Sequence, residues 1–245
     1  MNENPEKTTH FGYKTVAETE KASMVADVFH SVATKYDVMN DLMSFGIHRL
    51  WKRQTIASSG IRKGHHVLDL AGGTGDLTAK FSQLVGKQGS VVLADINSSM
   101  LNVGREKLRN KGIVQNVEYV QANAEYLPFE DNTFDAITVA FGVRNFETLE
   151  NGLKDILRVL KPGGTFVILE TSVPTKFPFK QGYKVYSKFI LPSIGRLFSK
   201  DKTAYKYLSE SASVFPYGEA LNNILRKIGF INVEDKPQTF GVATI

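Results

Sequence analysis

The chain has 245 residues, enough to bury a large core in one domain with decorations, and a formal charge of +5. It contains no cysteine, which excludes disulfides, thiolate metal sites and a cysteine nucleophile. The five histidines show no metal-ligand spacing, and no run of about 18 apolar residues marks a membrane span. The polar start MNENPEKTTHFGYKT lacks the apolar core of a signal peptide, so the expectation is a cytoplasmic protein with no metal.

After that tail, apolar residues recur at helical spacing (Val25, Val28, Phe29, Val32, Tyr36), which predicts two or three helices ahead of any sheet. From Gly64 the pattern alternates. HHVLDL is followed by the helix DLTAKFSQLV, SVVLADI by SMLNVGREKLRN, and then come VEYVQAN, FDAITVAF, the helix TLENGLKDILRVL and TFVILET. Such alternation predicts right-handed βαβ crossovers and a parallel sheet, with LKPGG as a turn after a proline-ended helix. After Glu170 the repeat is interrupted for about 45 residues, too long for an ordinary connection and therefore expected to be a functional cap. It resumes with EALNNILRKIG, a strand FINVED and a final GVATI. One domain is expected: an N-terminal helical lid (1–60), a cofactor-binding core (64–171), a cap or substrate insertion (172–216) and a closing helix with strands (217–245).

The positive charge is local. Lys176, Lys180, Lys184, Lys188, Arg196, Lys200, Lys202 and Lys206 face one acid, Asp201, so this segment carries +7 and the remainder about −2. A general nucleic-acid surface is not expected from that distribution.

VLDLAGGTGDLT (67–78) is a glycine-rich strand-to-helix turn. A dinucleotide fingerprint places a third glycine where Thr78 stands, so the loop alone leaves its ligand open. Asp69 lies inside the apolar strand, where a carboxylate is costly to bury without a partner, and a ligand bearing a positively charged amino group would supply one. Asp95 follows Gly75 by 20 residues and ends the second strand, placed to accept from both ribose hydroxyls of an adenosine, in NAD or S-adenosylmethionine alike. Just past the third strand, Asn123 can bond an adenine edge beside the small Ala124, or simply cap the following turn.

Taken in order, VLDLAGGTG, LPFEDNTFDAI and RVLKPGG resemble the class I S-adenosylmethionine-dependent methyltransferases, over most of Gly64 to Thr171. The resemblance implies a Rossmann-like α/β fold: a seven-stranded, mostly parallel sheet in the order 3-2-1-4-5-7-6 with the last strand antiparallel, N-terminal helices and a helical cap. It implies S-adenosyl-L-methionine as cofactor, with Asp69 and Thr74 toward its methionine end, Asp95 at the ribose, Asn123 and Ala124 at the adenine, and Gly73 of the glycine loop also binding it. ATKYDVMNDLMSFGIHRLWKR (33–53) and FGVRNFE (141–147) further resemble the ubiquinone/menaquinone biosynthesis C-methyltransferase family through nearly the whole chain. Two departures stand out. Ala140 occupies a cofactor-lining position where relatives often carry serine, and the sequence stops at GVATI where relatives continue, which predicts a short last strand.

The activity implied is methylation of a ring carbon of a prenylated quinol. A phenol ionises near pH 10, so a cation beside its oxygen would favour the nucleophilic phenolate. Arg144 is the candidate, with Tyr36 and Asn145 positioning a proton-relaying water; Trp51 and Phe141 are read as packing residues. The lysines spaced by four, interleaved with aromatics, read either as a solvated face or as a surface docking peripherally on the anionic inner face of a membrane. Contact with a quinone-biosynthesis complex and a homo-oligomer are compatible with this reading. Three alternatives carry their own discriminants. A nucleic-acid methyltransferase lacks support because there is no cysteine and no Asn/Asp-Pro-Pro-aromatic motif; a non-catalytic lipid-binding scaffold is at odds with intact Asp69, Thr74 and Asp95; an NAD oxidoreductase would be separated by ligand competition.

Overall fold

The computed structural model describes residues 8–191, 193 and 202–245. Arg196, Lys200 and Asp201, counted in the basic segment, lie outside the described residues, as do residues 1–7.

Where a polar tail was expected, the chain forms a hairpin, β1 (Thr8–Phe11) and β2 (Lys14–Ala17), turned at Gly12. Three helices follow as expected: α1 (Glu18–Val32), α2 (Tyr36–Ser44) and α3 (His48–Ser58). Then the alternation sets in: β3 (His66–Leu70), α4 (Asp76–Val85), β4 (Ser90–Asp95), α5 (Ser98–Asn110), β5 (Val117–Gln121), β6 (Phe134–Ala140), α6 (Leu149–Val159) and β7 (Leu160–Thr171). The insertion supplies α7 (Phe179–Val185), continued by a π-helical turn (Tyr186–Ile190), and α8 (Lys202–Val214). The chain closes with α9 (Glu219–Ile228), β8 (Pro237–Gln238) and β9 (Ala243–Thr244).

The large sheet runs β5-β4-β3-β6-β7-β9-β8, parallel except for β9, which is antiparallel to both neighbours. Counted among its own seven strands this is 3-2-1-4-5-7-6, as expected. Two details differ. FINVED is not a strand, and the sixth strand is the later pair Pro237–Gln238. LKPGG does not separate helix from strand; it lies inside β7, whose register against β6 jumps from Phe134↔Leu160 to Ala136↔Thr165. The turn chemistry survives there as a bulge, since Gly163 sits at φ 79, open to glycine without strain.

Period-two alternation sends Leu68, Leu70, Ile137 and Val139 to one face, where α6 and α9 cover them, and Val67 and Val91 to the other, under Phe81 and Val85 of α4. Leu153, Ile156 and Val159 of α6 are fully buried, each worth roughly 1.5–3 kcal/mol of apolar transfer. A separate apolar cluster joins segments far apart in sequence: Phe11 of the hairpin, Val25 and Val28 of α1, Met39 of α2, and Tyr207 and Leu208 of α8. Phe11 stacks on Tyr207 with centroids 4.3 Å apart. The N-terminal helices and the insertion thus close over the carboxyl ends of the strands as one packed body, leaving two pockets beneath.

Candidate active site

The first pocket is a cleft at the carboxyl ends of β3, β4 and β6, holding about 1040 Å³ of empty space, the open mouth included. Open α/β sheets bind ligands at this crevice, where strand order reverses. Its floor is the glycine loop. Gly75 at φ 74 allows the chain to turn directly into α4, and Gly104 of α5 lets that helix lie against the loop, since a Cβ there would stand 2.9 Å from the Gly73 carbonyl oxygen.

Asp95 ends β4 and faces this cleft. Its Oδ2 accepts the Gly73 N–H and its Oδ1 the Asn97 N–H, both at 2.9 Å, so each oxygen keeps lone-pair capacity for a further donor. Asn97 in turn caps α5, accepting from Ser99 and Met100. Burial pushes the Asp95 carboxyl up to about 6 against these bonds. This donor-hungry carboxylate above a glycine cradle fits the vicinal hydroxyls of an adenosine.

Asp69 also lines the cleft, but its partners come from the protein and not from a cationic ligand. Oδ2 accepts the Thr78 N–H at 2.9 Å and its hydroxyl at 2.6 Å, and Oδ1 accepts from Thr138 at 3.1 Å. Thr78, standing where a dinucleotide loop has glycine, therefore holds the strand carboxylate, which burial raises to about 6. Thr74 lines the cleft and donates to Asp37 Oδ1 at 2.7 Å. Around it runs a charge network that spacing did not reveal: Lys107 bonds both Asp37 and Asp76, and Lys52 bonds Asp76 at 2.8 Å. Burial alone would raise Asp76, yet the two lysines hold it far below the usual carboxylate range. Asn123 and Ala124 sit side by side in the cleft. The Asn123 oxygen caps the next turn, accepting from the Glu125 N–H at 2.9 Å, which leaves its amide nitrogen for a ligand. Ala140 completes the wall.

The second pocket, of about 670 Å³, lies beside the first, and the two share Tyr36 and Phe141 as a common wall. Its lining is aromatic and apolar, with Trp51, Tyr183, Tyr186 and Leu191 prominent. Trp51 and Phe141 do pack edge to face, centroids 6.4 Å apart, but both also border this space. Arg144 opens here and not into the cofactor cleft. It is buried and ion-paired with the fully buried Glu170, a partner that sequence reading missed. Burial works against the guanidinium charge and Glu170 restores it. Arg144 Nε, Glu170 Oε2 and Asn40 Nδ2 have no partner among the described residues, a concentration of unmet buried polar groups in one corner. Asn145 lies on the cleft side, its Oδ1 accepting from Tyr207 at 2.7 Å. Burial raises the phenols of Tyr36 and Tyr207, the latter to about 12. Among the described residues no cluster could hold a metal ion, and no helix is long and apolar enough to cross a membrane.

Known proteins resemble this chain along its whole length. The model of the ubiE/COQ5 methyltransferase family matches residues 14–245. The ubiquinone/menaquinone biosynthesis C-methyltransferase UbiE of Pseudoalteromonas translucida is 61% identical over the whole of this chain and 98% of its own, and that of Erwinia tasmaniensis is also 61% identical over the same shares. Among solved structures, a SAM dependent methyltransferase from Aquifex aeolicus aligns with a TM-score of 0.57 at 22% identity, over 79% of this chain and 86% of that one. The [4+2]-cyclase SpnF aligns with a TM-score of 0.64 at 16% identity, over 90% and 77%. Such distant likeness carries the fold alone, and a cyclase among the matches illustrates why.

Proposed function

The chain belongs to the ubiE/COQ5 methyltransferase family, and we propose that it transfers a methyl group from S-adenosyl-L-methionine to a ring carbon of a prenylated quinol, as in ubiquinone or menaquinone biosynthesis. The observation that carries this reading is the pair of pockets meeting at Tyr36 and Phe141, one suited to an adenosine and the other aromatic with the buried cation of Arg144.

Asp95 binds the ribose hydroxyls, Asn123 and Ala124 the adenine, and Gly73, Thr74, Asp69 and Ala140 shape the remainder of the cofactor cleft. When bound, the cofactor supplies an electrophilic methyl group, so the protein must align the ring and enrich its electron density. Arg144 does the second task. Glu170 fixes the guanidinium through Nη1 and leaves Nε unpartnered, available to the oxygen of a ring hydroxyl. A cation at that oxygen favours the phenolate, which pushes electron density to the adjacent ring carbon. Tyr36 stands at the wall between the two reactants, and Tyr207 holds the amide of Asn145 beside it.

The insertion that lines the quinol pocket also faces outward. Lys176, Lys180, Lys184 and Lys188 are exposed, as are Phe177, Phe189 and Ile190. Phe45 and Phe240, the latter stacked on Phe179, extend this apolar surface from neighbouring loops. Cations around exposed aromatics suit peripheral docking on an anionic bilayer, from which a prenylated ring can enter beside Tyr183 and Tyr186. The test is mass spectrometry of purified protein incubated with a demethylated quinol and trideuteromethyl-labelled cofactor. The expected product carries one labelled methyl on a ring carbon; a product labelled on oxygen, or none with a reduced substrate, would overturn the reading.

A further inference from the structure

Replacing a ring C–H by C–CH3 releases one proton, and the quinol pocket is lined largely by groups that cannot carry it away. Arg144 is already protonated, and the Tyr186 hydroxyl donates to the Met43 carbonyl oxygen, which passes no proton on. One wall differs. Ser44, the last residue of α2, and His48, the first of α3, both line the pocket and are joined across the turn Phe45–Gly46, whose φ angles of 49 and 74 fold the two helices together. Ser44 Oγ lies 2.8 Å from His48 Nδ1 and 2.7 Å from the Asn40 carbonyl oxygen, so its hydroxyl hydrogen has two acceptors in reach. On the far side of the ring, Nε2 faces Asp41 Oδ1 at 3.7 Å. Arg49 holds Asp41 with two bonds, at 2.9 and 2.7 Å, and the Asp41 side chain is 34% exposed. The chain Ser44–His48–Asp41 therefore runs from the buried pocket to solvent.

We propose that Ser44, His48 and Asp41 form the proton exit of the quinol pocket, with Ser44 Oγ accepting the proton of a ring hydroxyl. The inference rests on the quinol reading above. As the ring O–H breaks, its proton passes to Ser44 Oγ while the serine proton passes to Nδ1; the Nε2 proton then moves to Asp41, directly or through one water across the 3.7 Å gap, and on to solvent, and proton exchange at the imidazole after product leaves returns the hydrogen to Nε2. After the new C–C bond forms, the electrons of the ring C–H bond restore aromaticity, that proton returns to the ring oxygen, and the balance is one proton released. A carboxylate opposite Nε2 selects the tautomer with hydrogen on Nε2, which leaves Nδ1 free to accept. Burial and Lys52 keep the imidazole neutral by lowering its pKa, against Asp41 and Asp76. The charged groups acting on it are Asp41 from α2, Arg49 and Lys52 from α3 and Asp76 from α4; Arg144, Tyr36, Tyr183 and Tyr186 share the pocket.

The test uses the full chain with His48→Asn, whose amide keeps a bond to Ser44 but carries no proton through, and Ser44→Ala, which deletes a single oxygen. For both, turnover should fall about a hundredfold or more, within the range of a lost general base, with S-adenosylhomocysteine affinity and Tm close to wild type. The wild-type rate should decline on the acid side, below the ordinary imidazole range, as His48 takes up a proton, and His48→Asn should lose that limb. Nitrogen NMR of the wild-type ring should show hydrogen on Nε2. Wild-type turnover in either variant, an unchanged acid limb in His48→Asn, or hydrogen on Nδ1 would overturn the relay. Should His48→Asn fail to fold, Ser44→Ala and the NMR decide. Failure of the parent reading is distinct, because the wild-type protein would then methylate no quinol at all.

Discussion

The two pockets are neighbours built on opposite principles. In the cofactor cleft the ionisable groups are held in place by the protein, Asp69 by Thr78 and Thr138, Asp95 by the backbone of Gly73 and Asn97, and Asp76 by Lys52 and Lys107, while each Asp95 oxygen keeps capacity for one more donor. In the second pocket the Arg144–Glu170 pair and Asn40 keep buried polar atoms without partners among the described residues. The first arrangement is a preformed cradle that a ligand can enter at little cost. The second stores unmet hydrogen bonding that a ring hydroxyl relieves, so binding energy there is available for orientation. Every variant below is expected to affect one pocket and spare the other.

The largest effect should come from Arg144. Arg144→Met leaves the Glu170 carboxylate buried and uncompensated, a loss of about 3–5 kcal/mol of stability, and should reduce turnover at least a hundredfold. Adding Glu170→Gln should recover most of the stability, read by chemical denaturation, and none of the turnover; recovery of both would remove Arg144 from the chemistry. Next is Asp95→Ala. Loss of a charged acceptor for two hydroxyls should weaken S-adenosylhomocysteine binding by about 1.5–3 kcal/mol in calorimetry. Turnover at saturating cofactor should stay near wild type, and a folded variant of unchanged affinity would displace the ribose from this carboxylate.

The pH dependence is smaller. Burial holds Asp95 and Asp69 at about 6 when folded, above ordinary carboxylates, so their contribution to stability is greatest at acid pH and is lost as pH rises through about 6. Cofactor affinity has the opposite sign, because the ionised Asp95 is the better acceptor. Affinity should therefore fall below pH 6 in wild type and stay flat in Asp95→Asn. The smallest effect concerns the outer face of the quinol pocket. Replacing Lys176, Lys180, Lys184 and Lys188 with glutamine should reduce sedimentation with anionic vesicles, by up to about 1 kcal/mol per lysine, with methylation of a short-chain quinol unchanged. Equal vesicle binding at low salt would leave these lysines as a solvated face.

The contrast between the pockets also explains what could be read from sequence. The cofactor cleft is assembled from contiguous strand-to-helix turns, so VLDLAGGTG, LADIN and QANA each announce a strand end and the residues at it. The sheet order was implied by the family resemblance that VLDLAGGTG, LPFEDNTFDAI and RVLKPGG carry. The second pocket is assembled from α2, α3, the turn after β6, α7 and α8, and the pairings that set it span long separations: Arg144 with Glu170 of β7, Tyr186 with the Met43 carbonyl oxygen and, on the cleft side, Asn145 with Tyr207. No local pattern reports such contacts. Glu170 was visible only as a carboxylate in an apolar strand end, the same signal that drew attention to Asp69, and applying it evenly would have found the pair. The hairpin at Thr8–Ala17 was hidden because its strands are short and half polar, and FINVED failed as a strand although its pattern was apt.

Cofactor and quinol are proposed to occupy separate pockets that meet at the Tyr36–Phe141 wall. Equilibrium binding of a short-chain quinol at zero and saturating S-adenosylhomocysteine addresses that separation directly. The quinol should bind with saturating nucleoside present, without displacing it, and Arg144→Met/Glu170→Gln should weaken the quinol alone. Mutual displacement in the wild-type protein, or equal weakening of both ligands in the double variant, would contradict the separation.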